Sequence, residues 1–313
     1  VAKPLRMPDG TGPNPHSKEK EKDIHMRRRK SFGALASVLG VLLAITGATG
    51  AASAQPESGK RVFNAMQIVF SPDTPDAFCT IGAVGNDKYG RKIAISAGHC
   101  ISDPTHKYAD REIPEDIEPV YDRNDLGFGP IGHVRYFKDP EGSTTGHPTK
   151  DYMVIELLPA VTLSSQGPYL KETGEVEVPG GHPSPNAPTP PLNNERLLGA
   201  ALNNDNELVV SGQLGVLYGR ITNNSKGIYQ SWAGHKAGDS GGPAIWHVPG
   251  SAYPSSANRF QAAGPWAGIT KARVLGVPPY VYTSSANILA DLRARDTAHP
   301  GIFGAGFHVT DNP

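Results

Sequence analysis

Three short stretches hold residue types able to carry out nucleophilic chemistry: Ser96-Ala97-Gly98-His99-Cys100, Asp151-Tyr152-Met153-Val154-Ile155-Glu156-Leu157 and Gly238-Asp239-Ser240-Gly241-Gly242-Pro243. A serine hydroxyl is a poor nucleophile until a neighbouring base takes its proton, and histidine is the side chain suited to that task near neutral pH. The imidazole in turn needs a carboxylate that fixes its tautomer and stabilises the imidazolium. In the third stretch the glycines let the backbone turn sharply and admit a substrate, while adjacent N–H groups can point at a developing oxyanion. Gly238 and Ser240 are the expected donors of that oxyanion hole. No His-Glu-x-x-His or comparable ligand cluster is present, so neither a metal nor another cofactor is expected.

Taken together the stretches resemble the chymotrypsin-like, or trypsin-like, serine endopeptidases, in pattern closer to bacterial secreted members than to animal digestive enzymes. The likeness rests on a histidine in an Ala-Gly-His-Cys context, an Asp ahead of an apolar strand, and Gly-Asp-Ser-Gly-Gly-Pro, in the order His, Asp, Ser. It spans roughly Phe78 to Leu292 as separate anchors rather than as continuous identity. It implies an all-β fold of two antiparallel β-barrels packed face to face, followed by a C-terminal helix. It also implies hydrolysis of a protein or peptide substrate through an acyl-enzyme, with His99 as general base and acid, Asp151 as orienting carboxylate and Ser240 as nucleophile. Asp125 and Asp139 also lie between His99 and Ser240; Asp151 is preferred because Met153 to Leu158 reads as a buried strand that would hold it rigidly. The family further implies a disulfide between Cys79 and Cys100 that closes the His-bearing loop.

The resemblance also has departures. Where relatives that cleave after Arg or Lys carry Asp, six residues before the nucleophile, this chain has Gly234, so the counter-charge for a basic side chain is missing. His235 follows and is a candidate pocket-lining group. Gly268-Ile269-Thr270-Lys271-Ala272 resembles the family's Gly-Ile-x-Ser wall, and Pro279-Tyr280-Val281-Tyr282-Thr283 resembles Pro-Gly-Val-Tyr-Thr. Gly234, His235, Thr270 and Tyr280 are thus the expected substrate pocket, narrowed by Tyr280 where the family has glycine. No Ile-Val-Gly-Gly follows Gln55 to pair with Asp239, which therefore needs another partner, Lys236 or an arginine, or a different route of activation.

Positioning such groups requires rigid elements, and the chain alternates short β-rich runs with turn signals. Ala65 to Phe70, Lys92 to Ser96, Ile131 to Phe137, Met153 to Leu158, Leu208 to Ser211, Gly215 to Ile221, Gly264 to Thr270 and Pro279 to Tyr282 read as strands of antiparallel barrels or sandwiches. Proline and glycine crowd residues 166–191, which reads as a linker or large surface loop between β-rich halves 55–165 and 192–313. One helix is expected near the end, capped by Ser284 or Ser285, with Ile288, Leu289 and Leu292 on one face and Arg293 and Arg295 near its C-terminus.

Composition agrees with this reading. Among 313 residues are 36 Gly and 29 Pro, which argues against a helix bundle. Thirty basic residues balance thirty acidic ones, yet residues 1–54 hold nine Lys/Arg and four Asp/Glu, leaving 21 basic against 26 acidic in the body. Nothing in that balance calls for a nucleic-acid partner. Met26-Arg27-Arg28-Arg29-Lys30, the apolar run Phe32 to Ile45 and Ala52-Ser53-Ala54 form the tripartite pattern of a secretory signal over 26–54, with cleavage after Ala54. Residues 1–25 then read as an extension ahead of the true start at Met26. The product is expected to be extracellular, free or at the cell wall, with no membrane span once the signal is removed, and in that compartment a disulfide persists.

Two other readings fit parts of the sequence. Gly238 to Gly242 also satisfies the Gly-x-Ser-x-Gly pattern of α/β-hydrolases, which would need strand-helix alternation and an acid and histidine after the serine, such as Asp291 or Asp296 with His299 or His308. An exported adhesion or binding protein on a protease-like scaffold is the non-enzymatic alternative.

Overall fold

The computed structural model describes residues 59–101, 107–114, 117–138, 150–164, 169–170, 176–177, 192–193, 202–250, 264–273 and 277–310. The expected signal at 26–54, the extension 1–25, Asp139 and nearly all of 166–191 lie outside the described residues.

The first half contains strands β1 (Arg61–Phe63), β2 (Gln67–Val69), β3 (Cys79–Thr80), β4 (Ala83–Asn86), β5 (Lys92–Ser96), β6 (Pro119–Asp122), β7 (Pro130–Lys138), β8 (Tyr152–Leu157) and β9 (Thr162–Ser164). Three short strands follow, β10 (Tyr169–Leu170), β11 (Val176–Glu177) and β12 (Leu192–Asn193). The second half contains β13 (Glu207–Gly212), β14 (Gly215–Ser225), β15 (Ile228–Ser231), β16 (Pro243–His247), β17 (Gly264–Arg273) and β18 (Tyr280–Ser284), then helix α1 (Ser285–Ala298) and β19 (His308–Val309).

One sheet has the order β19-β4-β5-β8-β7-β6-β2-β3. Its β3 and β4 are consecutive pieces of one bent segment, in which the Ile81 N–H donates to Met66 O at 2.9 Å and the Gly82 N–H to Ile95 O at 2.8 Å. The sheet therefore curls back on itself. In the other sheet, ordered β12-β17-β16-β13-β14-β15-β18, a further pairing of β17 with β18 closes an antiparallel barrel. Closure removes exposed strand edges, which otherwise invite aggregation. The fold is thus all-β with two antiparallel barrel-like sheets and a C-terminal helix, as the resemblance implies, and the described residues show no strand-helix alternation of the α/β-hydrolase kind.

Period-two alternation explains how the halves join. On β8, Met153, Ile155 and Leu157 enter the core inside the first sheet, with Val84, Ala94 and Val134. Tyr152 and Val154 face the other way, together with Ile93 and Ile95 of β5, into a second core. That core also holds Val209, Ile245 and Trp266 of the second sheet and Ile288, Leu289 and Leu292 of α1. A third core, including Leu208, Val210 and Tyr282, fills the closed barrel. Strands buried on both faces read as continuous apolar runs, which is why β5 and β8 stand out in the sequence.

Helix α1 begins where expected, with the Asn287 N–H donating to Ser284 Oγ at 3.2 Å. Its Asp291 is buried and accepts from the Tyr152 hydroxyl at 2.7 Å, Lys150 Nζ at 2.8 Å and Lys138 Nζ at 3.2 Å. This ties the helix to the strand that follows Asp151. After α1 the chain returns to the first sheet, where β19 pairs with β4.

Candidate active site

His99 sits in a 3-10 turn, Gly98–Cys100, that directly follows β5. Cys100 in this turn is joined by a disulfide to Cys79 of β3, 21 positions earlier, with a Cα separation of 6.2 Å. Asp151 immediately precedes β8, the neighbour of β5. The Asp151 carboxylate receives His99 twice: the backbone N–H donates to Oδ1 at 3.0 Å, and Nδ1 lies 2.8 Å from Oδ2. An ionised carboxylate only accepts, so Nδ1 carries the hydrogen and Nε2 is left with its lone pair. Lys271 of β17 donates to the same Oδ2 from Nζ at 3.0 Å.

Asp151 is 1% exposed, and the His99 side chain is 27% exposed. Burial pushes the Asp151 carboxyl up, but the hydrogen bond and charge of the His99 ring, the Lys271 ammonium and the His99 N–H outweigh it. The net effect holds Asp151 below the usual carboxylate range, hence ionised at neutral pH.

Ser240 lies in the loop leading into β16, and that loop is clamped from both sheets. From the first, Thr80 N–H donates to Ser240 O at 2.8 Å and Thr80 Oγ1 to Gly238 O at 2.7 Å. Ser96 Oγ donates to Thr80 O at 2.7 Å, so Thr80 is itself fixed. From the second, the Gly241 N–H donates to Thr270 O and the Thr270 N–H to Gly242 O, both at 2.8 Å, and Thr270 Oγ1 donates to Asp239 O. The loop needs its glycines: Gly238 has φ +91°, Gly241 has φ +85°, and a Cβ on Gly241 would stand 2.5 Å from Thr80 O.

Asp239 does find partners, which among the described residues are backbone and amide N–H groups. Its Oδ2 accepts from the backbone N–H of Lys236 at 2.8 Å, and its Oδ1 from the backbone N–H and Nε2 of Gln213 at 3.0 and 3.1 Å.

His99, Gly238 and Ser240 line one cleft of about 390 Å³, with Phe70, Ala77 and Phe78 among its apolar walls. Of the expected pocket residues, Gly234, His235 and Tyr280 gather together. A Cβ on Gly234 would lie 3.3 Å from Tyr280 Cζ, and the His235 ring is 5.3 Å from that of Tyr280 and 5.4 Å from that of Tyr282. The Thr270 hydroxyl turns instead to the nucleophile loop. Asp125 is elsewhere, 2.6 Å from Lys60 Nζ.

Three contributors were not anticipated from sequence: Thr80, Gln213 and Lys271. Lys271 left a signal, since it stands where the resembling Gly-Ile-x-Ser segment has serine. Among the described residues, no group of three or more His, Cys, Asp or Glu side chains gathers for a metal ion.

No protein-family model matches the chain, and no curated protein matches it in sequence. Among solved structures it is similar to Thermobifida fusca protease A at 15% identity, covering 74% of this chain and 95% of that one, with a TM-score of 0.43. A Nocardiopsis protease aligns at 14% identity over 74% and 96%, with a TM-score of 0.41. A Cellulomonas bogoriensis chymotrypsin aligns at 15% over 80% and 100%, with a TM-score of 0.42.

Proposed function

We propose that the chain is a secreted serine endopeptidase that hydrolyses peptide bonds through an acyl-enzyme on Ser240. The observation that carries this reading is the His99–Asp151 pair, whose ring borders the cleft that also holds Ser240 in a Gly-Asp-Ser-Gly-Gly-Pro loop.

In this mechanism His99 Nε2 takes the hydroxyl proton as Ser240 Oγ attacks the scissile carbonyl carbon. The backbone N–H groups of Gly238 and Ser240 hold the resulting oxyanion. His99 then gives its proton to the departing amine as the C–N bond breaks. Water, deprotonated by the same imidazole, releases the acyl group and regenerates Ser240. Asp151, ionised and rigidly bonded, keeps Nδ1 protonated throughout. Gly234 and Tyr280 form a shallow, uncharged floor to the pocket for the residue before the scissile bond. The signal segment 26–54 directs export, which suits the Cys79–Cys100 disulfide.

Cleavage of a proteome-derived peptide mixture, followed by mass spectrometry, tests this. Ser240→Ala and His99→Ala should each lower the rate by about 1,000-fold or more, and the double variant should lose little beyond either one, because the residues act as a unit. Losses that multiply in the double variant, or cleavage untouched by Ser240→Ala, would overturn the reading.

A further inference from the structure

Lys271 sits at an irregularity in the barrel. The register of β17 against β18 runs Thr270 opposite Tyr282 and then Ala272 opposite Val281, so Lys271 is the extra residue of a β-bulge. Bulges re-aim a side chain that regular pleating would send elsewhere. Here the side chain, 15% exposed, reaches out of the second sheet to Asp151, at the start of the interior strand β8 of the first. Its neighbour Thr270 is the residue that clamps the nucleophile loop, so the ammonium is delivered from the strand that also holds that loop.

We propose that Lys271 is a positioning residue that sets the pH range of the site, by sharing Oδ2 of Asp151 with the His99 ring. This rests on the catalytic roles proposed above. With Asp151 ionised and Lys271 protonated, the buried pair is neutral before reaction. Protonating His99 then leaves a net positive charge around one carboxylate, instead of a neutral ion pair. The two cationic groups stand within two hydrogen-bond lengths of each other. Coulomb repulsion at that distance, under the effective screening of a protein interior, disfavours the imidazolium by about one pH unit or more. The neutral, proton-accepting form of His99 therefore persists to lower pH than it would beside an unshared carboxylate.

Asp76 lines the same cleft as His99, but its carboxylate is fully exposed to solvent, which screens it, and lies 3.6 Å from Arg123 Nη2. Charged groups on the adjoining strands have partners of their own. Lys138 and Lys150 face Asp291, as does the Tyr152 hydroxyl, and Asp239 faces Gln213 and the Lys236 N–H. The buried carboxylate bonded to the His99 ring is thus the one that Lys271 shares.

Direct titration of the His99 ring by NMR tests the proposal without relying on turnover, so a silent enzyme does not obscure the answer. The full chain is compared with Lys271→Met, Lys271→Gln and Lys271→Arg, with folding checked by thermal melting. Lys271→Gln keeps a donor for Oδ2 while removing the charge, and serves if the methionine variant fails to fold. Should both uncharged variants unfold, the comparison is made without the carboxylate, where neutralising Lys271 leaves no buried charge unpaired: the midpoint in Asp151→Asn should lie about one unit or more below that in the Asp151→Asn, Lys271→Gln double variant. Equal midpoints in those two chains would overturn the proposal. In folded uncharged variants the midpoint should rise by about one unit or more, with Lys271→Arg within a few tenths of wild type, and the acidic limb of kcat/KM should move in parallel. An unmoved midpoint in a folded uncharged variant, or an equal shift in Lys271→Arg, would overturn it.

Discussion

Asp151 holds His99 by both ends of one residue, accepting from its backbone N–H at 3.0 Å and from its ring at 2.8 Å. The backbone bond fixes where the 3-10 turn sits relative to β8, and the ring bond fixes which nitrogen keeps the proton. A single buried carboxylate thus sets both the position and the tautomer of the proposed base.

Asp151→Asn should therefore damage turnover far more than folding. An asparagine oxygen can still accept from the His99 N–H, but its amide favours the wrong imidazole tautomer. In the catalytic template of this type the same change lowers kcat by about 10,000-fold, and a comparable loss is expected here, in a chain that still folds but melts lower because Lys271 loses the carboxylate it pairs with. A variant within tenfold of wild type would show that Asp151 has no such role.

Acid stability should depend on Asp291. Burial pushes its carboxyl up, but Lys150, Tyr152 and Lys138 together hold it below the usual range. A carboxyl depressed in the folded state contributes stability that is complete above its unfolded pKa of about 3.9 and is lost as pH falls through the lower folded value. The melting temperature should accordingly drop as pH is lowered below about 4, and Asp291→Asn should flatten that drop while lowering stability at pH 7. A parallel acid limb in the variant would contradict the assignment.

The disulfide should stabilise the first half measurably. Closing a loop of this length is worth about 3 kcal/mol in the chain-entropy model. Urea unfolding of the Cys79→Ala, Cys100→Ala double variant should show a loss of that order, with the proposed active-site groups still in place. No change in the midpoint would mean that the unfolded chain gains nothing from release of the crosslink.

Selectivity should follow the contact between Tyr280 and Gly234. On the proposed pocket, with Tyr280 at its floor and no carboxylate at 234, small residues should precede the cleaved bond. Tyr280→Gly should extend cleavage to larger side chains. Peptide-library profiling checks both, and efficient cleavage after Arg by the wild type would reject this account of the pocket.

The elements read most directly from sequence are those buried on both faces or capped distinctly. Lys92–Ser96 appears as β5 with the expected bounds, β8 and β14 begin within a residue of expectation, and Ser284 caps the helix. The bent segment β3–β4 and the strands β6, β15, β16 and β19 were not anticipated. They are two to five residues long, which leaves a period-two pattern little room to show, and some, such as β19 with β4, pair with strands distant in sequence. At the candidate site, His99, Asp151 and Ser240 were singled out by residue type, because chemistry restricts what can serve as base, orienting acid and nucleophile, and their proposed roles still rest on that reading. Gln213 gave no such signal, since its role depends on where β13 ends against Asp239. The reach of Lys271 depends on a bulge, which a single sequence does not mark.

The most direct measurement of the central claim is covalent labelling with a fluorophosphonate, which reacts far faster with a serine hydroxyl activated by a neighbouring base than with an ordinary hydroxyl. The account predicts one adduct per folded chain, mapped by mass spectrometry to Ser240, absent in Ser240→Ala and strongly slowed in His99→Ala. Folded wild-type protein that stays unlabelled at every pH, or a label that persists in Ser240→Ala, would contradict it.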